Sequence, residues 1–195
     1  MELRNGIKTF YAKTAKEWRK WLEKNHKKEK AVWIIFYKKN SGTPSVSYVE
    51  AVEQALCFGW IDSKANKRDD DSYYQYFTKR NPKGKWASTN KARVEILIAQ
   101  GLMTPSGMDM IDLAKKTGTW DALNDVESVV IPEDFMKALK KNKKALAHWE
   151  GFAKSSKMII LYWISEAKRP ETRQKRIDES VRLAAENIKA NQYRQ

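Results

Sequence analysis

Cysteine and histidine are almost missing from this sequence. A single cysteine, Cys57, leaves no internal disulfide to form. The only histidines, His26 and His148, stand 122 positions apart, and no carboxylates cluster to complete a metal set, so no metal site is expected. Neither G-x-G-x-x-G nor G-x-x-x-x-G-K-[ST] occurs, which removes support for a dinucleotide fold or a P-loop, and no nucleophile-elbow motif is present. The longest apolar run, MIILYWI at 158–164, falls far short of the ~20 residues that span a bilayer. The opening segment MELRNGIKTFYAK has no apolar leader core. The expectation is a cytoplasmic protein with no transmembrane segment and no cofactor.

Apolar residues make up 42% of the chain, including eight Trp and eight Tyr, enough to fill a real core. Cys57 is expected to pack there rather than react. The charge is lopsided: 38 Lys and Arg against 24 Asp and Glu, a formal +14. Residues 1–120 carry 23 basic and 13 acidic side chains, and residues 121–195 carry 15 and 11. Such a field attracts polyanions, phosphates or an acidic membrane. A lysine-rich surface kept for solubility is the alternative.

Capping signals divide the chain. Thr14 with Glu17 opens a helix through about Lys24, with Trp18, Trp21 and Leu22 inward. AVWIIFYKK at 31–39 reads as a largely buried strand. Ser47 with Glu50 opens a second helix through about Phe58, and Gly59 stops it. WIDSKANK and YYQYFTKR, joined by a turn over Asp69–Ser72, read as a β-hairpin. Ser88 or Thr89 is expected to cap a helix through about Gln100, with Val94, Leu97 and Ile98 on its inner face. Thr104-Pro105 opens the next helix, which ends at Gly118. Residues 132–195 read as helices throughout, the last running to about Lys189 with Ile177, Val181, Ala184 and Ile188 at helical spacing. The fold class is α+β: residues 1–120 form a small, mostly antiparallel sheet flanked by helices. A linker at 121–131 leads to a helical domain, 132–195, expected to pack on the first.

Chemistry-bearing residues concentrate at 60–93. Asp62, Lys64 and Arg68 share one predicted strand, and Tyr73, Tyr74, Tyr76, Lys79 and Arg80 its partner. Between Lys79 and Arg93 stand six basic residues and no acidic one. The helix start at Ser88-Thr89-Asn90 offers free amides to an anion. Arg80 brings a planar donor fork, and Trp86 a ring face. The candidate ligand-binding set is Trp60, Asp62, Lys64, Arg80, Trp86, Ser88 and Asn90, with Asp62 the weak candidate for a general acid or base. Plainer readings stand beside it: core positions for Trp60 and Trp86, an Asp62–Arg80 ion pair, and helix caps at Ser88 and Asn90. A second cluster, AKRPETRQKRI at 167–177, sets Arg169, Thr172, Arg173 and Arg176 at a helix start. It would grip an anion or the other domain's carboxylates, or simply pair with Glu166 and Glu179. Asp69–Asp71 reads as a solvated turn, His26 as a surface residue and His148 as a packing histidine.

Four segments carry a resemblance: ALCFGWIDSK, FTKRNPKGKWASTN, GLMTPSGMDMIDLAKKTGTW and YWISEAKRPETRQKRI. In this order, and from about Trp18 to Ile188, they resemble the YdeI/OmpD-associated (OmdA, bacteriocin-protection) family. That family tends to place a serine on either side of the tryptophan before Asn90, where this chain has Lys85-Trp86-Ala87-Ser88. It commonly has a proline where Lys79 stands. The resemblance implies an association with resistance to bacteriocins or cationic antimicrobial peptides and with an outer-membrane porin. It brings no reaction, substrate or cofactor. The resulting expectation is a cytoplasmic resistance protein acting as a binding module for an anionic small molecule. A non-specific nucleic-acid-binding protein and a small enzyme using Asp62 are the alternatives.

Overall fold

The computed structural model describes residues 2–192. The chain forms two compact units, Met1–Asp121 and Ala122–Gln195, the first α+β and the second helical.

The first unit is built on a five-stranded sheet of order β1-β2-β3-β5-β4. Two of its strands, β1 (Leu3–Arg4) and β2 (Ile7–Tyr11), lie in the N-terminal segment to which sequence reading assigned no element. Asn5 and Gly6, at φ 49° and 74°, make the two-residue turn between them. An Asn-Gly pair accepts positive φ at both positions, which is what a tight hairpin needs. Helix α1 (Ala15–Asn25) then carries the chain across, so β2 and β3 (Ala31–Tyr37) run parallel. The other three pairings are antiparallel, including β4 (Trp60–Lys67) with β5 (Ser72–Lys79), the expected hairpin.

The unbroken apolar run of β3 follows from burial on both faces. Val32, Ile34 and Phe36 join Phe77 of β5 beneath α1 and α2 (Tyr48–Cys57). Trp33 and Ile35 lie on the opposite face with Tyr74, where the partly buried apolar neighbours Ile7, Tyr11, Tyr37 and Tyr76 all come from strands. Trp18 and Trp60 fill the helix-covered side, and their indole N–H groups donate to the Ala51 and His26 carbonyls at 3.0 and 3.3 Å.

The α1 and α2 caps form as expected. The Thr14 hydroxyl accepts from Glu17 N, and Ser47 and Glu50 make a reciprocal capping box. Helix α3 (Ser88–Ala99) departs from expectation: it begins on Ala87, which has no side chain to offer its amides, and Ser88 is already helical. Ile98 is 43% exposed rather than inward, because only Val94 and Leu97 fall on the buried stripe. Helix α4 (Pro105–Thr117) packs close to the end of α2. A Cβ on Gly107 would collide with the Cys57 carbonyl oxygen and stand 2.8 Å from its carbon.

In the second unit, the stretch expected as a linker holds a short helix, α5 (Asn124–Glu127), and Val126, Val129 and Ile131 pack on the core of that unit. Helices α6 (Glu133–Lys140), α7 (Lys143–Gly151), α8 (Lys154–Ser165) and α9 (Pro170–Ala185) supply the core, around Phe135, Trp149, Ile160, Ile164 and Ile177. Helix α9 stops four residues earlier than its apolar spacing suggested. Asn187 takes φ 57° just beyond it, and Ile188 is exposed. The His148 Nδ1–H donates to the Ala184 carbonyl at 2.8 Å, a packing role.

Candidate functional site

The expected set of seven residues does not meet at one point; four separate arrangements result. The division begins with a bulge in β4 between Asp62 and Ala65. Asp62 pairs with Phe77 and Ala65 with Gln75, so Ser63 and Lys64 together oppose one residue of β5. Without that extra residue Asp62 and Lys64 would share a face. With it, Asp62 stays on the helix side, while the Lys64 ammonium lies 5.6 Å from the centroids of Trp33 and Tyr76 on the other.

Asp62 is engaged. Its Oδ2 accepts from the Tyr48 hydroxyl at 2.7 Å and from Gln75 Nε2 at 3.3 Å, which ties the first turn of α2 to β4. Burial, first, and then the hydrogen bond to Asp62 push the Tyr48 hydroxyl up to about 12, while the Arg93 charge pulls the other way. The Asp62–Arg80 ion pair offered as the plainer reading of the sequence is not found among the described residues; Asp62 turns to Tyr48 and Gln75, and Arg80 to the Lys85 carbonyl. Trp60 is a core residue, 1% exposed, with its ring edge-on to Trp21 at 5.9 Å.

Arg80 and Trp86 do come together. The guanidinium carbon lies 3.6 Å from the Trp86 ring centroid, and Nη2 donates to the Lys85 carbonyl at 2.8 Å. Arg80 is 7% exposed and its Nε has no acceptor. No carboxylate pairs with it among the described residues, and burial pushes it down to about 10. Trp86 in turn packs on Trp120, centroids 4.9 Å apart, with the Lys91 and Lys115 ammonium groups 5.8 and 5.4 Å from the Trp120 ring. Ser88 opens α3 immediately beyond, and Asn90 Oδ1 accepts from Arg93 at 3.1 Å. Helix α3 thus starts with no side-chain cap and no acidic residue in its first turn, directly after a buried cation stacked on a ring.

The C-terminal arginines serve the helical unit. Arg173 makes a two-point bridge to Asp134 of α6, Nε to Oδ2 at 2.6 Å and Nη2 to Oδ1 at 2.9 Å. That bridge lowers the Asp134 carboxyl below the usual carboxylate range and raises Arg173. Arg173 also reaches the Ile164 carbonyl at 3.4 Å, and Arg176 donates to the Trp163 carbonyl while lying 5.3 Å over the Trp163 ring. These carbonyls belong to the last turn of α8, where backbone oxygens lack helical partners and the helix dipole is negative. Arg169 is the exposed N-cap position of α9 and Thr172 lies in its first turn.

Sequence reading placed His26 on a polar surface; it is half-buried beside Phe58. Its Nδ1 sits 2.8 Å from the Leu22 carbonyl, an obligate acceptor, so Nδ1 carries the proton. Nε2 faces the Ser106 hydroxyl at 3.2 Å, linking the end of α1 to the start of α4. Eighty residues separate the two, and nothing local in either segment announced the contact.

Among the described residues no helix is long and apolar enough to cross a membrane. Residues 10–110, which hold the sheet and Arg80–Trp86, match a domain of unknown function (DUF8412). Residues 128–187, which hold the Asp134–Arg173 bridge, match the family described as Bacteriocin-protection, YdeI or OmpD-Associated. The likeness expected along the whole chain is therefore divided between two families at the point where the units divide. No curated protein and no solved structure matches the chain. The chain belongs to the DUF8412 family, whose match covers just over half of it, and its helical unit is similar to the family described as Bacteriocin-protection, YdeI or OmpD-Associated.

Proposed function

We propose that the protein is a cytoplasmic binding module associated with bacteriocin protection, and that its α+β unit takes an anionic small molecule at the Arg80–Trp86 corner. Arg80 carries this reading: a charged side chain, 7% exposed, with one backbone carbonyl, one ring face and no carboxylate for company. Burying a charge without a counter-charge is costly, and the downward shift of Arg80 expresses that cost. A bound anion would supply the missing charge. Helix α3 opens two residues past Trp86 with no acidic residue in its first turn, and the positive end of its dipole is of the right sign for an anion.

The geometry that surrounds Asp62 is that of a structural tether, its Oδ2 accepting from Tyr48 and Gln75. Titration calorimetry against inorganic phosphate, pyrophosphate and a nucleotide panel tests the proposal. The wild type is expected to bind at least one, and Arg80→Met, with an unchanged circular dichroism spectrum, to bind none. A panel without a binder, or a folded Arg80→Met that keeps full affinity, discards it.

A further inference from the structure

The sheet face away from the helices has a different composition from the Arg80 corner and shares no residue with it. Trp33 on β3 and Tyr74 and Tyr76 on β5 form one aromatic patch on two adjacent inner strands, with ring centroids 6.1 and 4.8 Å from Trp33. Three cations lie over it. The Arg4 guanidinium is 4.4 Å from the Tyr74 centroid and 5.3 Å from Trp33. Lys64 is 5.6 Å from both Trp33 and Tyr76, and Arg68 is 5.8 Å from Tyr74.

Arg68 is matched by Glu2 at 3.7 Å and Asp69 at 3.1 Å, and Glu2 also accepts from the Tyr74 hydroxyl. Arg4 and Lys64 have no carboxylate partner among the described residues. Two buried donors on this face, Arg4 Nε and Trp33 Nε1, have no acceptor. A patch that combines ring faces, excess positive charge and donors awaiting acceptors fits a ligand with flat bases, negative phosphates and many oxygens.

We propose that this face binds single-stranded nucleic acid, with bases stacking on Trp33, Tyr74 and Tyr76 and phosphates drawn to Arg4, Lys64 and Arg68. Adjacent inner strands presenting aromatics on a helix-free face are a general solution for splayed bases. Trp33 is 1% exposed in the free protein, beneath Arg4 and Lys64. Both covering side chains are long, and their attraction to phosphates would uncover the ring they lie on. A duplex keeps its bases stacked inside and has no faces to offer. The charge of the unit, 23 basic against 13 acidic residues over 1–120, favours the same partner.

Fluorescence anisotropy of the full chain with a labelled oligothymidylate of about 20 nucleotides, well above one site's length, is the test. Affinity is expected to fall with salt at a logarithmic slope of about −2, since three cations contribute about −0.7 each on a single strand. Lys64→Ala and Arg4→Gln should each flatten that slope by about 0.7. Tyr76→Leu should weaken binding about tenfold at constant slope, the loss of one stacked base. Lys64→Ala should weaken oligonucleotide binding by the same factor in an Arg80→Met background as in the wild type, which separates this face from the anion corner. No binding in low salt, equal affinity for a duplex of the same length, a mononucleotide bound as tightly as the oligomer, or a slope indifferent to Lys64→Ala would each overturn the proposal.

Discussion

Arg173 holds Asp134 through two hydrogen bonds of 2.6 and 2.9 Å, joining the start of α9 to the start of α6 in the helical unit. The same guanidinium reaches the last turn of α8 through the Ile164 carbonyl. One side chain therefore connects three helices, and all of them lie in the stretch matched to the bacteriocin-protection family.

This bridge predicts an acid-sensitive helical unit. The Asp134 carboxyl is held low by Arg173, so its contribution is present above the unfolded carboxylate pKa and is lost as pH falls through the lower folded value. Thermal unfolding followed from neutral pH down to about pH 3 should show this loss in the wild type. Asp134→Asn should remove that part of the acid dependence and cost about 1 kcal/mol at neutral pH, discounted for the partial exposure of the pair. An Asp134→Asn protein with the same acid profile as the wild type would contradict it.

Gly107 is a packing requirement. A side chain there meets the Cys57 backbone, which cannot yield as the tip of a flexible side chain could. Gly107→Ala is expected to destabilise the α+β unit by about 3 kcal/mol, the upper range for overpacking. Urea denaturation with a probe in this unit reads the loss. A midpoint within experimental error of the wild type would show that α2 and α4 separate easily.

The Tyr48–Asp62 contact has a spectroscopic consequence. Tyr48 should ionise only at about 12, because burial and then the hydrogen bond to the Asp62 carboxylate disfavour its deprotonation. A raised folded pKa stabilises the protein below the unfolded value, and the benefit disappears as pH climbs through the folded one. Ultraviolet titration of tyrosinate absorbance should lose a step at about 12 in Tyr48→Phe, and Asp62→Asn should move that step to lower pH.

Ala87 couples stability to binding in opposite directions. Its φ of −72° and ψ of 147° suit an N-cap residue, yet it has no side-chain acceptor for the α3 amides. Ala87→Asp should stabilise the unit by about 1 kcal/mol, the typical value of a helix cap. The new carboxylate would occupy the amides proposed to meet an anion and should weaken phosphate binding. Calorimetry showing undiminished affinity in a stabilised Ala87→Asp protein would place the anion elsewhere.

Much of the architecture was legible because it rests on local chemistry. The α1 and α2 caps, the β4–β5 hairpin and the stops at Gly59 and Gly118 follow from side chains bonding to nearby backbone and from glycine's freedom at positive φ. The β1–β2 turn is equally legible in Asn5-Gly6, a pair that accepts positive φ at both positions. Ala87 shows the limit of such signals. Ser88 and Thr89 are better cap residues than Ala87, yet the helix begins one residue earlier.

By itself the sequence determined the α+β class, the run of helices from residue 132 on, the family motifs and the surplus of positive charge, all properties of composition, periodicity and short-range spacing. Only the tertiary structure decided which charged groups meet. A single bulge sends Lys64 to the aromatic face and leaves Asp62 with Tyr48. Arg80 is buried with no carboxylate partner among the described residues, and helix packing commits Arg173 to Asp134. These outcomes depend on register and on partners dozens of residues away. Strand pairing, with a side-chain period of two, converts a one-residue shift into a change of face.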